Sequence, residues 1–146
     1  MATEQGTPQG GNLSPMLSNI FLHYVLDLWF EKRVKRQVRG VCFLVRYADD
    51  FICMAQYEED AQSILQAIRE RFAAFDLALH PEKTRVISFG RNERRNARRE
   101  RRRPNTFDFL GFTHYCERSR RGSYIVGRKT SGKKLRKKCR ELNEWL

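Results

Sequence analysis

No run of this sequence stays apolar for the ~18 residues a membrane-spanning helix needs; polar side chains break each one well before that. The first residues, MATEQGTPQGG, offer no basic start followed by an apolar stretch, so no secretory signal is expected. Zinc-type spacing is missing as well. Cys42, Cys53, Cys116 and Cys139 make no C-x-x-C pair, and His23, His80 and His114 are scattered. Nothing implies a disulfide scaffold. Cys42 and Cys53 fall inside apolar runs, where cysteine is usually a small buried hydrophobe. These absences point to a reduced, cytoplasmic protein with no membrane partner. Negative charge is scarce too: 17 Asp and Glu face 29 Lys and Arg, for a formal net charge of +12.

What is present is enough for a fold. The chain has 146 residues, the size of one domain or a piece of a larger one, and its 40% hydrophobic content supports a core rather than disorder. The positive excess calls for a polyanion, of which nucleic acid is the commonest. Arg outnumbers Lys 21 to 8, and the planar guanidinium makes two-pronged bonds to phosphate and stacks on bases. A solvated basic surface is the plainer alternative.

Residues 6–13 read as a loop, and Ser14-Pro15 as a helix start, with Ser as the cap and Pro at the first position. Leu17, Ile20, Phe21, Tyr24, Val25 and Leu28 follow at helical spacing and form one apolar stripe, and Gly40 stops the element. Positions 41–55, VCFLVRYADDFICMA, read as a β-hairpin with two carboxylates at its turn. A second amphipathic helix is expected from Glu58 to Phe75, buried through Ala61, Ile64, Leu65, Ile68, Phe72 and Phe75. A short strand entry (Asp76 to His80), a turn (Pro81 to Lys83) and a strand (Thr84 to Phe89) come next.

Residues 91–103, RNERRNARRERRR, hold eight Arg and two Glu, half the chain's excess charge. Only Ala97 is apolar, so the segment reads as a mobile loop that orders on a polyanion; an exposed helix with i,i+4 pairs is the weaker alternative, because like charges would crowd each face. Arg91, Arg94, Arg95, Arg98, Arg99, Arg101, Arg102 and Arg103 are its candidate contacts to a nucleic-acid backbone. Strand-like Thr106 to Tyr115, a turn at Arg118 to Gly122 and a strand from Ser123 to Val126 follow. Ser131 then caps a last helix, with Leu135, Cys139, Leu142 and Leu146 on one stripe among lysines and arginines.

Two adjacent acids on a tight hairpin suit a hard cation such as Mg²⁺, which takes few carboxylates and bridges substrate phosphates. Neighbouring strand side chains point to opposite faces, so one of Asp49 and Asp50 should be the primary ligand. On its own such a pair is common in turns. Tyr47-Ala48-Asp49-Asp50 between apolar strands resembles the active-site hairpin of reverse transcriptases. Gln9 to Pro15 resembles the loop-to-helix motif before it, Leu77 to Thr84 the segment after it, and Phe109-Leu110-Gly111-Phe112 the primer-grip hairpin. Asn19 to His23, Leu26-Asp27 and Trp29-Phe30 resemble the group II intron-encoded reverse transcriptases, or maturases, in particular.

The resemblance implies an α+β fold: a partial right-hand polymerase palm, helices packed on an antiparallel sheet, over residues 1–116, with the palm's last hairpin and the start of a thumb helix over 117–146. It implies RNA-directed DNA polymerisation by two-metal nucleotidyl transfer, with Mg²⁺, or Mn²⁺ in its place, held by Asp49 and Asp50. Tyr47 would support the primer end. Gln9 and Gly10 would lie near the nascent base pair and template, and Lys83 near the leaving pyrophosphate. Phe109, Leu110 and Gly111 would hold the primer strand, although Phe109 and Phe112 are also ordinary core candidates. Implied partners are an RNA template, a DNA primer, deoxynucleoside triphosphates and intron RNA. The family also has a metal-binding Asp upstream of the Gln-Gly loop, and Glu4 is the sole acid before Ser14. The chain is therefore expected to be a fragment, inactive alone, that self-associates or completes itself with an upstream chain through an exposed hairpin edge and the stripe of the Ser14 helix. A maturase-like RNA-binding module and an inert mobile-element remnant are the alternatives.

Overall fold

Leu22, Leu26, Phe30 and Val34 recur every four residues, and all four are buried. An unbroken α-helix turns ~100° per residue and would carry that series ~40° further round at each step. The computed structural model, which describes residues 13–145, shows how the series stays in line. Helix α1 (Ser14–Leu22) runs into two wider, π-helical segments, His23–Asp27 and Phe30–Val34, before the short α2 (Lys35–Gln37). The wider turns hold more residues each and absorb the drift.

The stripe expected from a 3.6-residue period is therefore not the buried one. Val25 is buried, but Leu17, Ile20, Phe21 and Tyr24 are exposed. Ser14 lies inside the first turn instead of capping it. Leu13 occupies the flanking position without a side-chain cap, while Pro15 sits in the first turn as expected.

Strands β1 (Cys42–Tyr47) and β2 (Asp50–Ala55) pair antiparallel, with Cys42 opposite Ala55, Leu44 opposite Cys53 and Arg46 opposite Phe51 on one face. Cys42, Leu44, Phe51, Cys53 and Ala55 pack into the core with Val25, Leu26, Phe30 and Val34. On the other face Phe43, Val45, Tyr47 and Met54 are exposed. Helix α3 (Glu58–Ala73) supplies Ile64, Ile68 and Phe72 to the same core. Its buried Asp60 accepts the backbone N–H groups of Arg39 (3.2 Å) and Gly40 (2.8 Å), which fixes the connection into β1. A Cβ on Gly40 would stand 2.7 Å from the Tyr57 ring, so the close approach needs glycine. Arg71 of α3 donates to the Val25 carbonyl (3.1 Å) and lies over the Trp29 and Phe75 rings. The Cys53 thiol is pushed up to about 12 by burial, and burial raises Cys42 too, so both behave as hydrophobes.

These elements form one of two compact units, which part between Val86 and Ile87. Residues 84–89 join neither sheet, so the strand expected there does not form. Extended residues without a ladder partner are not a strand.

The second unit contains α4 (Glu93–Arg99), a three-stranded antiparallel meander of β3 (Thr106–Phe109), β4 (Phe112–Arg118) and β5 (Tyr124–Thr130), and α5 (Gly132–Trp145). Leu110 (φ 50) and Gly111 (φ 86) both have positive φ between β3 and β4, as a tight two-residue hairpin requires. The strand-like run over 106–115 is thus two strands, with a hairpin at Phe109-Leu110-Gly111-Phe112 as the resemblance implied. Phe112 is 48% exposed and is not core. Ser131 precedes α5. Its N–H donates to the Gly111 carbonyl and its hydroxyl to Asp108, both at 2.9 Å. The Phe107 ring stacks on His114 and meets Phe89 edge-on. Together the units are α+β, helices with antiparallel sheets, the expected class.

The arginine-rich run is also not a loop. Its middle, Glu93–Arg99, folds as α4, on which Glu93 and Ala97 are buried, with turns on either side. Four residues apart, they share one face, and that face was enough to pack.

Candidate functional site

Tyr47 and Asp50 are cross-strand partners at the closed end of the hairpin, and Ala48-Asp49 makes the turn. Tyr47, Asp49 and Asp50 are all exposed. Asp49 is a turn residue, so the strand alternation that would separate the two acids applies only to Asp50. Asp50 shares the outer face with Tyr47, and directly opposite side chains lie ~5 Å apart at Cβ.

Arg46 fixes the tip. Alternation turns it to the inner face, opposite Phe51. Its Nε and Nη2 donate to the two carboxylate oxygens of Asp27, at 2.8 and 2.7 Å. Nη1 reaches Asn19 Oδ1 (2.9 Å) and the Ala48 carbonyl (2.7 Å). One guanidinium thus ties the Asp-bearing turn to two positions of the first helix. Asp27 ends the first wide turn of that helix. The hydrogen bond from Arg46 holds the Asp27 carboxyl below its ordinary range, and Asp27 raises Arg46 in return. Both are mostly buried, with side chains 12% (Arg46) and 26% (Asp27) exposed, so the pair is only weakly screened by solvent.

Ala48 has φ 53, a left-handed conformation that a Cβ disfavours. Ala48→Gly should relieve that strain at some entropic cost and raise stability by about 0.5–1 kcal/mol. A shift of the urea midpoint to higher concentration checks it; a lower midpoint would mean that the turn is unstrained.

A pocket of about 200 Å³ lined by Asp27, Glu31, Leu44 and Arg46 adjoins this network. It is smaller than the ~300 Å³ at which small-molecule sites begin. The two exposed acids suit a divalent cation in kind, being hard oxygen donors. In number they fall short: among the described residues no three His, Cys, Asp or Glu side chains are grouped to hold a metal.

None of the other candidates belongs to this hairpin. Gln9 and Gly10 fall outside the described residues. Lys83 stands exposed on the turn at 81–83. Phe109, Leu110 and Gly111 belong to the second unit, where Leu110-Gly111 forms the β3–β4 turn and the Lys134 side chain lies against Gly111. Of the eight candidate arginines, seven are exposed. Arg102 turns inward onto Glu93 and also meets Glu100, so its guanidinium is occupied within the fold.

The model of the family described as "Reverse transcriptase (RNA-dependent DNA polymerase)" matches residues 1–114. The chain belongs to the reverse transcriptase family. No curated protein and no solved structure matches it. Reverse transcriptases use divalent metals and bind an RNA template and a primer. The match spans the hairpin, the arginine-rich helix and the β3–β4 turn. Among the described residues no helix is long and apolar enough to cross a membrane.

Reading the sequence motif by motif misses Arg46, Asp27 and Asn19 as a unit supporting the reverse transcriptase hairpin. The signal was present. Arg46 falls two residues after Leu44 on the core-facing register, and a charge there needs a buried partner.

Proposed function

We propose that this chain carries the catalytic hairpin of a group II intron-encoded reverse transcriptase, with the later part of the palm over residues 1–116 and the start of the thumb over 117–146. One observation carries the reading: Tyr47, Asp49 and Asp50 stand exposed in and beside a two-residue turn that Arg46 pins to the first helix. Support for the intron-encoded subgroup comes from Asn19 and Asp27, which lie in the segments resembling it and are the residues that bind Arg46.

In this reading Asp49 and Asp50 hold Mg²⁺, or Mn²⁺ in its place, which when bound supplies Lewis-acid stabilisation to a phosphoryl group. Tyr47 supports the primer end from the same face as Asp50. Gln9 and Gly10 lie at the nascent base pair, Lys83 at the pyrophosphate of an incoming deoxynucleoside triphosphate, and Phe109, Leu110 and Gly111 along the primer. Two acids make an incomplete two-metal site, so the chain does not extend primers alone. A partner supplies the remaining ligand, either an upstream chain or a second copy. The exposed apolar face of Met16, Leu17, Ile20, Phe21 and Tyr24 supports such an association.

Mn²⁺ titration of the labelled chain tests the site without needing catalysis. Millimolar-range Mn²⁺, on the order expected for a site with few carboxylates, should broaden the amides of the Ala48–Asp50 turn first. Asp49→Ala should remove that effect. Uniform broadening across all acids would end the metal reading, and robust primer extension by the chain alone would end the claim of incompleteness.

A maturase-like RNA-binding role is the second reading. The seven exposed arginines between Arg91 and Arg103 favour it, and it requires no metal.

A further inference from the structure

Helix α4 has no business being stable by local rules. It is seven residues long, well below the ~12 at which isolated helices become marginal. It also stacks like charges one turn apart, Arg94 over Arg98 and Arg95 over Arg99, an arrangement that opposes the helix. Its stability must come from elsewhere in the second unit.

The source is Glu93. Its side chain is fully buried. The carboxylate accepts Arg102 through both Nη atoms and the Asn105 N–H at 2.8 Å. Asn105 in turn donates through Nδ2 to the Ser88 carbonyl at 3.0 Å, closing the base of the segment. The hydrogen bond from Arg102 holds the Glu93 carboxyl below its ordinary range. A buried carboxylate is tolerated only when partnered in this way. Ala97, fully buried, is the second anchor.

With Glu93 and Ala97 inward, Arg94, Arg95, Arg98 and Arg99 fall about 100–240° round the helix from Glu93, opposite the packed face. All four are exposed. Arginines one turn apart have Cβ atoms ~5–6 Å from each other, so their side chains leave the helix side by side and can meet neighbouring phosphates of one strand.

We propose that the Glu93–Arg102 clasp pre-forms a phosphate-binding arginine face on α4, and that this face grips the sugar-phosphate backbone of an RNA duplex. The inference rests on the nucleic-acid reading above and adds to it that geometry, not charge alone, sets affinity. Guanidinium groups held on a rigid element lose less freedom on binding than the same groups on a loop.

The two accounts predict opposite signs for one variant. Glu93→Gln removes a negative charge and raises the net charge by one. If the segment acts as a flexible polycation, binding tightens or stays the same. If the clasp matters, binding weakens although the charge rises. The experiment is fluorescence anisotropy of a short RNA duplex with the full chain at fixed salt, repeated across a salt series. Glu93→Gln should weaken binding about tenfold and flatten the salt dependence, since fewer phosphates are met at once. Asn96→Pro breaks α4 without changing charge and should do the same. Amide exchange over β4 and β5 verifies that the sheet survives, and where Glu93→Gln disturbs it, Asn96→Pro decides. Wild-type-like or tighter binding by the sheet-intact variants overturns this proposal and leaves RNA binding standing. Absence of duplex binding by the unaltered chain overturns the nucleic-acid reading together with the proposal.

Discussion

Asp49→Ala should cut primer extension by about two to three orders of magnitude in a mixture of this chain with an upstream polymerase half, the range seen when one preorganised charge-stabilising contact is lost. RNA affinity should stay within about twofold, because cationic contacts to phosphate dominate affinity and a carboxylate supplies none. The turn is exposed, so truncation of Asp49 should not disturb the core. Neutralising exposed arginines between Arg91 and Arg103 should do the reverse. Binding should weaken and lose salt dependence, while extension at saturating template stays near its original rate. If Asp49→Ala extends primers normally, the hairpin is not the reaction centre. If both variants fail in both assays, the two roles are not separable and the division of labour is wrong.

Arg46→Ala is expected to destabilise the first unit by about 2–3 kcal/mol, the range for losing hydrogen bonds to a charged group that stays partly buried. Asp27 would lose its two-pronged partner, and the Ala48 carbonyl and Asn19 would lose a donor. Arg46→Lys should recover only part of this, since an ammonium cannot span both Asp27 oxygens. Urea melts give the magnitude, and pH gives the mechanism. The Asp27 carboxyl is held below its ordinary value in the fold, so the pair stabilises the protein above the usual carboxylate range. That contribution falls away as the pH drops through the lowered value. The gap between wild type and Arg46→Ala should therefore be widest near neutrality and narrow in acid, below about pH 4. A gap that does not change with pH would show that Arg46 acts by packing alone. In the reconstituted polymerase the same variant should lower extension at least about tenfold, because near-attack geometry tolerates little displacement of the turn that bears Asp49.

The clearest local features were legible before any coordinates. The hairpin over 41–55 follows from two β-rich runs separated by a short polar centre. The register then sends Cys42, Leu44 and Cys53 inward because a strand repeats every two residues. Helix α3 follows from its 3.6-residue stripe, with Ile64, Ile68 and Phe72 buried as spaced. The reverse transcriptase motifs carried the family, because Tyr47-Ala48-Asp49-Asp50 is specific only in the company of the segments around it.

Three things were decided only in three dimensions. The buried face of the first helix depends on wide turns that no 3.6-residue template contains, so Leu22 replaced Leu17 and Ile20 in the core. The strand expected at residues 84–89 lacked a partner, and a ladder is a property of two segments rather than one. The arginine-rich run folded because Glu93 found Arg102 and Asn105, nine and twelve residues away, and a carboxylate amid cations gives no local sign of being an anchor. Sequence alone thus determined the hairpin, helix α3 and which side chains stand at the hairpin tip. The tertiary structure decided which charged groups are held inside and which are left for a ligand, since burial and pairing depend on residues far apart along the chain.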